Sequence, residues 1–369
     1  MEKVTEFLLQ YAVLTLKEID KTIKETPLET LIEKPKSCKK EDALYLDVIP
    51  ENMLKRLLIK KYDNNVVLIT EESGEFNFEL INKAEIVIFA DPTDRSKFLK
   101  EFIEQYIKKN KNFSKKTFYE LINEEKEDIK NQWEALVDEP AQTSGACCSF
   151  TVIKRCRILF NIILNYITGD IIIACEDAIA YKNVNEIKED DRSWTDFRTW
   201  TDIKFLANKD SNENKFFVTY LGKQYRKFYE DANVIPSVYQ PLYSEPGGPM
   251  RILYLSNLAD KKVDFILSNG EKIGEWLGWL AFCKYSKDLI AYSIYPDTKT
   301  FYARDDLLMT PSPPYSILEG ENENFSLNLE KLKYISNPSR YREMIIVLHK
   351  NNDSAASFIE AQKSRPIFS

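Results

Sequence analysis

The sequence has a single histidine, His349, and that scarcity excludes more chemistry than any other feature of its composition. A histidine-based catalytic triad needs its base, and multi-histidine zinc or iron sites need several imidazoles. A metal held by this chain is therefore expected on oxygen ligands, which selects magnesium, calcium or manganese. Glycine is scarce as well, at 10 residues in 369. Neither GxGxxG nor GxxxxGK(S/T) occurs, so dinucleotide and P-loop readings fall. The six cysteines (38, 147, 148, 156, 175 and 283) form no CxxC pair, and reduced, buried thiols are the expectation. Long apolar runs are missing too. Stretches such as Ile162–Leu164 and Ile171–Cys175 fall far short of the roughly 18 residues a membrane span needs. No basic region precedes an apolar stretch near Met1, so no signal peptide is read and the cytoplasm is the expected compartment. Nor is there an excess of positive charge: 51 Lys and Arg stand against 58 Asp and Glu, a net charge of −7. That argues against a nucleic-acid polymer or an anionic membrane as partner.

What is present is a globular composition. Hydrophobic residues make up 44% and aromatics 12% of the chain, enough for a sizeable core, and the length suggests two domains or one two-lobed domain. Residues 3–25 read as an amphipathic helix with Val4, Phe7, Leu8, Tyr11, Leu14 and Ile19 on one side. Pro50 is placed to open a second helix through Met53, Leu54, Leu57 and Leu58. Two short β-branched runs, Val66–Ile69 and Ile86–Ala90, read as buried strands. A helix over 97–109 with Ser96 as its N-cap follows, and 110–140 is charged and helical. Residues 149–182 read as strands around a turn at Gly169-Asp170. Arg251–Leu255 and Met344–Leu348 are further strands, and Gly270–Cys283 a helix. Strands and helices mix in irregular order, which gives an α/β or α+β fold.

The informative feature is acidic residues placed directly after two strands. Glu71 and Glu72 follow the first; Asp91 and Asp94 follow the second, with Pro92 stiffening the turn between them. Strand ends in α/β folds open toward ligand crevices. Like charges packed this closely repel unless a cation lies between them. Hard oxygen ligands at such a point suit magnesium, with manganese as substitute, sharing its coordination with a substrate phosphate. The helix opening near Ser96 aims its N-terminal amides at the same place.

Thr70-Glu-Glu-Ser-Gly followed by Asp91-Pro-Thr-Asp-Arg-Ser resembles the magnesium-dependent, lithium-sensitive sugar-phosphatase superfamily. Its members include inositol monophosphatases, fructose-1,6-bisphosphatases and bisphosphate nucleotidases. Their hallmark is a Glu-Glu pair and then DP-(I/L)-D-(G/S)-(S/T). The resemblance implies Glu71, Asp91 and Asp94 as metal ligands, with the carbonyl of Thr93 helping. It implies Asp47 and Ser96 as the pair that orients the attacking water. The later metal aspartate falls at Asp305 or Asp306, in Arg-Asp-Asp-Leu-Leu rather than the family's Trp-Asp-x-Ala-Ala. A weaker likeness runs through Met250–Ser256, the helix near 273–283 and Asp288–Tyr292. The implied fold is a layered αβαβα sandwich of two lobes, and the implied activity is hydrolysis of a phosphate monoester on a small polyol, sugar or nucleotide.

The lobes are expected over 1–182, with a charged helical insertion near 97–142, and over 250–369. The unmatched segment 183–249 is read as a lid. Arg95 stands where the family has a small residue; it either grips phosphate bidentately or forms a surface salt bridge. Arg226 and Arg251 are candidate phosphate contacts, against a reading as solvated basic surface. Cys147-Cys148 and His349 are read as structural. The partner is a small phosphate ester, and a homodimer is the expected assembly. A second reading keeps the fold and loses the activity, leaving a binding or scaffold protein. A third treats the DPTD match as chance.

Overall fold

A computed structural model describes residues 1–35, 43–59, 66–70, 81, 83–109, 111–124, 126–188, 190–205, 215–220, 239–243, 248–259, 263–268, 273–294, 318–319, 326–327 and 344–350. The helices are α1 (Lys3–Glu25), α2 (Leu28–Ile32), α3 (Tyr45–Leu54), α4 (Ser96–Lys109), α5 (Phe118–Glu124), α6 (Lys126–Val137), α7 (Ala141–Ser144) and α8 (Ile273–Tyr285). A first sheet runs in the order β1 (Val66–Thr70), β2 (Ile86–Asp94), β3 (Cys147–Lys154), β4 (Arg157–Asn165), β5 (Asp170–Cys175), β6 (Ile179–Asn183) and β7 (Thr201–Asp202). Only its β1–β2 pair is parallel.

The second sheet takes β8 (Lys215–Tyr220), β9 (Tyr239–Tyr243), β10 (Phe265–Ser268), β11 (Leu289–Ile294) and, after a two-residue ladder of β12 (Leu318–Glu319) and β13 (Ser326–Leu327), β14 (Met344–His349). Its order is β11-β14-β10-β8-β9. Strands β8 and β9 lie inside the 183–249 segment read as a lid, and they pair into this sheet.

The layers follow from which residues each element can bury. Helix α1 buries Leu9, Ala12, Val13, Leu16, Ile19 and Ile23 completely. That spacing of three and four places one stripe against the first sheet, and each buried aliphatic contributes roughly 1.5–3 kcal/mol relative to exposure. The stripe is rotated from the expected one: Val4 and Phe7 are each 50% exposed, and Leu9, Ala12, Val13 and Leu16 are inward instead. Helices α4 and α6 join the same core through Phe102 and Trp133, whose rings meet edge-on at 5.7 Å. On the other face lies α8, whose Leu277, Trp279, Leu280, Ala281, Phe282 and Cys283 are all at most 1% exposed. A helix apolar all round must be covered on both sides, and α8 packs on β2–β5 and on β11 and β14. Helices, sheet, helix and sheet are therefore four successive layers among the described residues.

Three local expectations change. Helix α3 begins five residues before Pro50 and carries it in its interior. Residues 248–255 are a 3-10 helix and not a strand; all eight are buried, and complete burial erases the alternation that marks a strand. In the segment 183–249 read as a lid, Trp194, Phe197 and Trp200 are core, at 3–5% exposure. Their 3-10 turns are capped by Asp191 and Asp196, while Trp194 donates to the Lys188 carbonyl and Trp200 to the Trp194 carbonyl.

Candidate active site

Strand β2 is buried along its whole length and ends in Asp91-Pro92-Thr93-Asp94. It pairs with β1 so that Thr70, the last residue before Glu71, lies beside Ala90. On its other side Asp91 faces Ser149 and Asp94 faces Cys147, with a bulge between the two pairs. The bulge re-aims successive side chains at a strand end. Asp91 and Asp94 are only 5% and 7% exposed. Both act on one neighbour: the Cys147 thiol is pushed well above its ordinary value by burial, then by the charge of Asp94 and of Asp91. Both carboxylates thus lie near enough to this one buried thiol to act on it. This donor set, two hard anionic oxygens and the adjacent Thr93 carbonyl, fits a divalent cation such as magnesium in chemistry and charge. Among the described residues no group of three or more His, Cys, Asp or Glu side chains is arranged to hold a metal.

Glu71, Glu72, Asp305, Asp306 and Arg226 lie outside the described residues. Asp47 is 5% exposed on the first turn of α3. Its Oδ2 accepts the Leu44 N–H at 2.9 Å, which fixes the carboxylate at the helix start. Helix α3 packs on β2 and is tied to the strand ends twice. The Thr93 hydroxyl donates to the Leu46 carbonyl at 2.6 Å, and the Thr70 hydroxyl donates to Glu51 at 2.7 Å. The Tyr166 hydroxyl donates to the Pro92 carbonyl at 3.1 Å from the β4–β5 turn. Ser96, expected as the N-cap, is the first residue of α4 instead, and Arg95 before it, in the left-handed region at φ 63°, takes the cap position with its carbonyl accepting the Leu99 N–H.

Arg95 differs from both of its readings. Its guanidinium donates to the Ser144 carbonyl at 2.8 Å and to Glu139 at 3.0 Å, with the side chain 1% exposed. It is a buried ion pair, not a surface one, reaching across 44 residues to the end of α6. Burial, then the Glu139 charge, raises the Tyr254 hydroxyl above its ordinary value beside this pair. Arg251, read as solvated, is fully buried. Cys147, Cys148, Cys175 and Cys283 are buried, Cys156 is partly exposed, and none of the five is in a disulfide. Glu139, Tyr166 and the Thr93 hydroxyl were not singled out from the sequence. The readable signal was Pro50: a proline inside a helix frees the carbonyl four residues earlier, here that of Leu46.

No family model and no curated protein matches the sequence. Solved structures share its architecture. CysQ from Bacteroides thetaiotaomicron, described as a bacterial member of the inositol monophosphatase family, is 12% identical with 95% of this chain and 99% of that one covered, at a TM-score of 0.52. A Pyrococcus horikoshii protein described as having similarities to inositol-1 monophosphatase is 11% identical over 95% of each chain, at 0.51. Leishmania major fructose-1,6-bisphosphatase in holo form is 11% identical over 97% of this chain and 96% of that one, also at 0.51. No helix among the described residues is long and apolar enough to cross a membrane. At these identities the likeness is one of fold, and the chain adopts the layered α/β fold of inositol monophosphatases and fructose-1,6-bisphosphatases.

Proposed function

We propose that this protein is a magnesium-dependent hydrolase of phosphate monoesters carried by a small polyol, sugar or nucleotide. The observation that supports it best is the end of β2: two buried carboxylates, Asp91 and Asp94, three residues apart across a bulge, with Asp47 held on the adjoining helix. Asp91, Asp94 and the Thr93 carbonyl hold the metal in this reading. Glu71 and one of Asp305 and Asp306 complete the set, since two carboxylates alone leave two divalent ions far from neutral. Bound there, magnesium would supply Lewis acidity that polarises the phosphate and lowers the pKa of a nearby water.

The chain's own residues do the rest. The first-turn amides of α4, next to Asp94, present the positive end of the helix to the phosphate. Asp47 and the Ser96 hydroxyl orient the water, with Asp47 taking a hydrogen bond from it. The buried walls of β2 and β3 exclude bulk water and strengthen each of these contacts. Arg95, turned away to Glu139, leaves the phosphate to the metal and the amides. A second reading has one specific observation in its favour. A charged residue stands in a left-handed position where the resembled motif has a small one, as in a fold kept for binding after catalysis is lost.

Crystals soaked in manganese test the first reading. Anomalous density within about 2.2 Å of carboxylate oxygens of both Asp91 and Asp94 is expected, and its absence at saturating manganese refutes the metal site.

A further inference from the structure

Pro50 stands in the sixth position of the ten-residue helix α3. Proline has no N–H, so the carbonyl of Leu46, four residues earlier, lacks its helical donor. That carbonyl is buried, Leu46 being 0% exposed, and a buried carbonyl without a donor is costly. The donor it receives comes from outside the helix: the hydroxyl of Thr93, at 2.6 Å. The same hydroxyl lies 2.8 Å from the Pro92 carbonyl, but it has one proton, and the shorter contact takes it. The Pro92 carbonyl has its own donor in Tyr166. Thr93 is the middle residue between Asp91 and Asp94, and Leu46 immediately precedes Asp47. A single hydrogen bond therefore joins the turn that carries two of the proposed metal ligands to the residue beside the proposed water-orienting carboxylate. The chain carries both halves of the arrangement, a proline that vacates the acceptor and a hydroxyl that fills it.

We infer that the Thr93 hydroxyl is a positioning group, which sets the Asp91–Asp94 turn against α3 and so fixes the metal ligands relative to Asp47. This rests on the proposed function and adds to it a residue acting through its side chain, where the family resemblance implied only its carbonyl. Groups behind metal ligands typically change metal affinity by ten- to a hundredfold when removed.

Pro50 supplies the control. In Pro50→Ala the residue at 50 regains an N–H for Leu46, so the stability role of Thr93 becomes redundant while its positioning role does not. The experiment compares wild type, Thr93→Val, Pro50→Ala and the double variant, by urea unfolding and by calorimetric titration with Mn2+ alone. Thr93→Val is expected to lower the folding equilibrium constant by about five- to a hundredfold, the cost of one orphaned buried carbonyl. In the Pro50→Ala background the same change costs less than about threefold. The Mn2+ dissociation constant rises about tenfold or more in Thr93→Val and stays raised in the double variant. Thr93→Ser, which keeps the hydroxyl, returns it to near the wild-type value. If Thr93→Val does not fold, the double variant against Pro50→Ala carries the same affinity comparison.

Recovery of affinity together with stability in the double variant overturns the positioning role, as does Mn2+ binding by Thr93→Val within twofold of wild type. Wild-type protein that binds no Mn2+ overturns the proposed function and the positioning role with it, and so is told apart from failure of the positioning role alone.

Discussion

One buried side chain is expected to make the fold less stable in mild acid. His349 closes β14, pairs in register with Leu289 of β11 and is 2% exposed. Its Nε2 has no hydrogen-bond partner among the described residues. Burial is the main cause that lowers its pKa to about 4 from the ordinary 6.5, while a backbone hydrogen bond at Leu255 and the Asp288 charge oppose it weakly. The sign follows. Between about pH 6.5 and 4 the unfolded chain takes up a proton that the folded chain refuses, so folding stability falls as pH falls and levels off below about 4. At about 1.4 kcal/mol per pH unit the full loss is about 3 kcal/mol, and about 2 kcal/mol is already gone at pH 5. Urea unfolding of wild type and His349→Gln at pH 8, 6.5 and 5 measures it. Because the chain has no other histidine, the difference between the two proteins isolates the imidazole from the carboxylates. The stability difference is expected to shrink or reverse by about 2 kcal/mol between pH 8 and 5. A difference constant within about 0.5 kcal/mol over that range refutes the reasoning, since it means the imidazole is protonated or hydrated in the folded state.

Three further changes separate the site from its scaffold. Asp91→Asn keeps the side-chain shape and removes a ligand charge, so phosphate release should fall at least a hundredfold, about 3 kcal/mol of barrier, with an unchanged melting temperature; activity within tenfold shows that Asp91 is not a ligand. Arg95→Gly relaxes a left-handed backbone by about 1 kcal/mol but strands the buried Glu139, a loss of about 3–5 kcal/mol. The urea midpoint should therefore drop by the equivalent of about 2–4 kcal/mol and recover in part on adding Glu139→Gln, and a more stable Arg95→Gly contradicts the buried pair. Gly145→Ala drives a methyl into the Asn165 carboxamide, which holds the Ala141 carbonyl and the amides of Ile167 and Thr168. Its cost should be about 2–4 kcal/mol, read in thermal unfolding, and a neutral result shows that Asn165 can move aside.

The parts of the fold legible in the sequence were those set by local chemistry. The β-branched runs 66–69 and 86–90 lie in strands, and the apolar spacing of 97–109 lies in a helix with Leu99, Phe102, Ile103 and Tyr106 inward. Complete burial defeated the reading of 248–255, because a segment covered on every side shows no period. The start of α3 was missed because Pro50 signals a first turn more often than an interior position; only tertiary structure provides the Thr93 hydroxyl that makes the interior position tolerable. Arg95 was misjudged for a similar reason. Its partner Glu139 lies 44 residues away, and no local pattern marks a pair at that separation. The acidic cluster after the β-branched run was legible as a local signal, but the strand runs on through Asp94, so Asp91 and Asp94 lie within β2 rather than after it. The other carboxylates that resemblance adds, Glu71, Asp305 and Asp306, fall outside the described residues.

Phosphate release from a panel of sugar, polyol and nucleotide monophosphates, with magnesium and with the metal chelated, tests the central claim most directly. Turnover of at least one ester that requires magnesium and is lost in both Asp91→Asn and Asp94→Asn is the predicted result. Folded wild-type protein that releases no phosphate from any of them in saturating magnesium, or releases it equally well in chelator, contradicts the account.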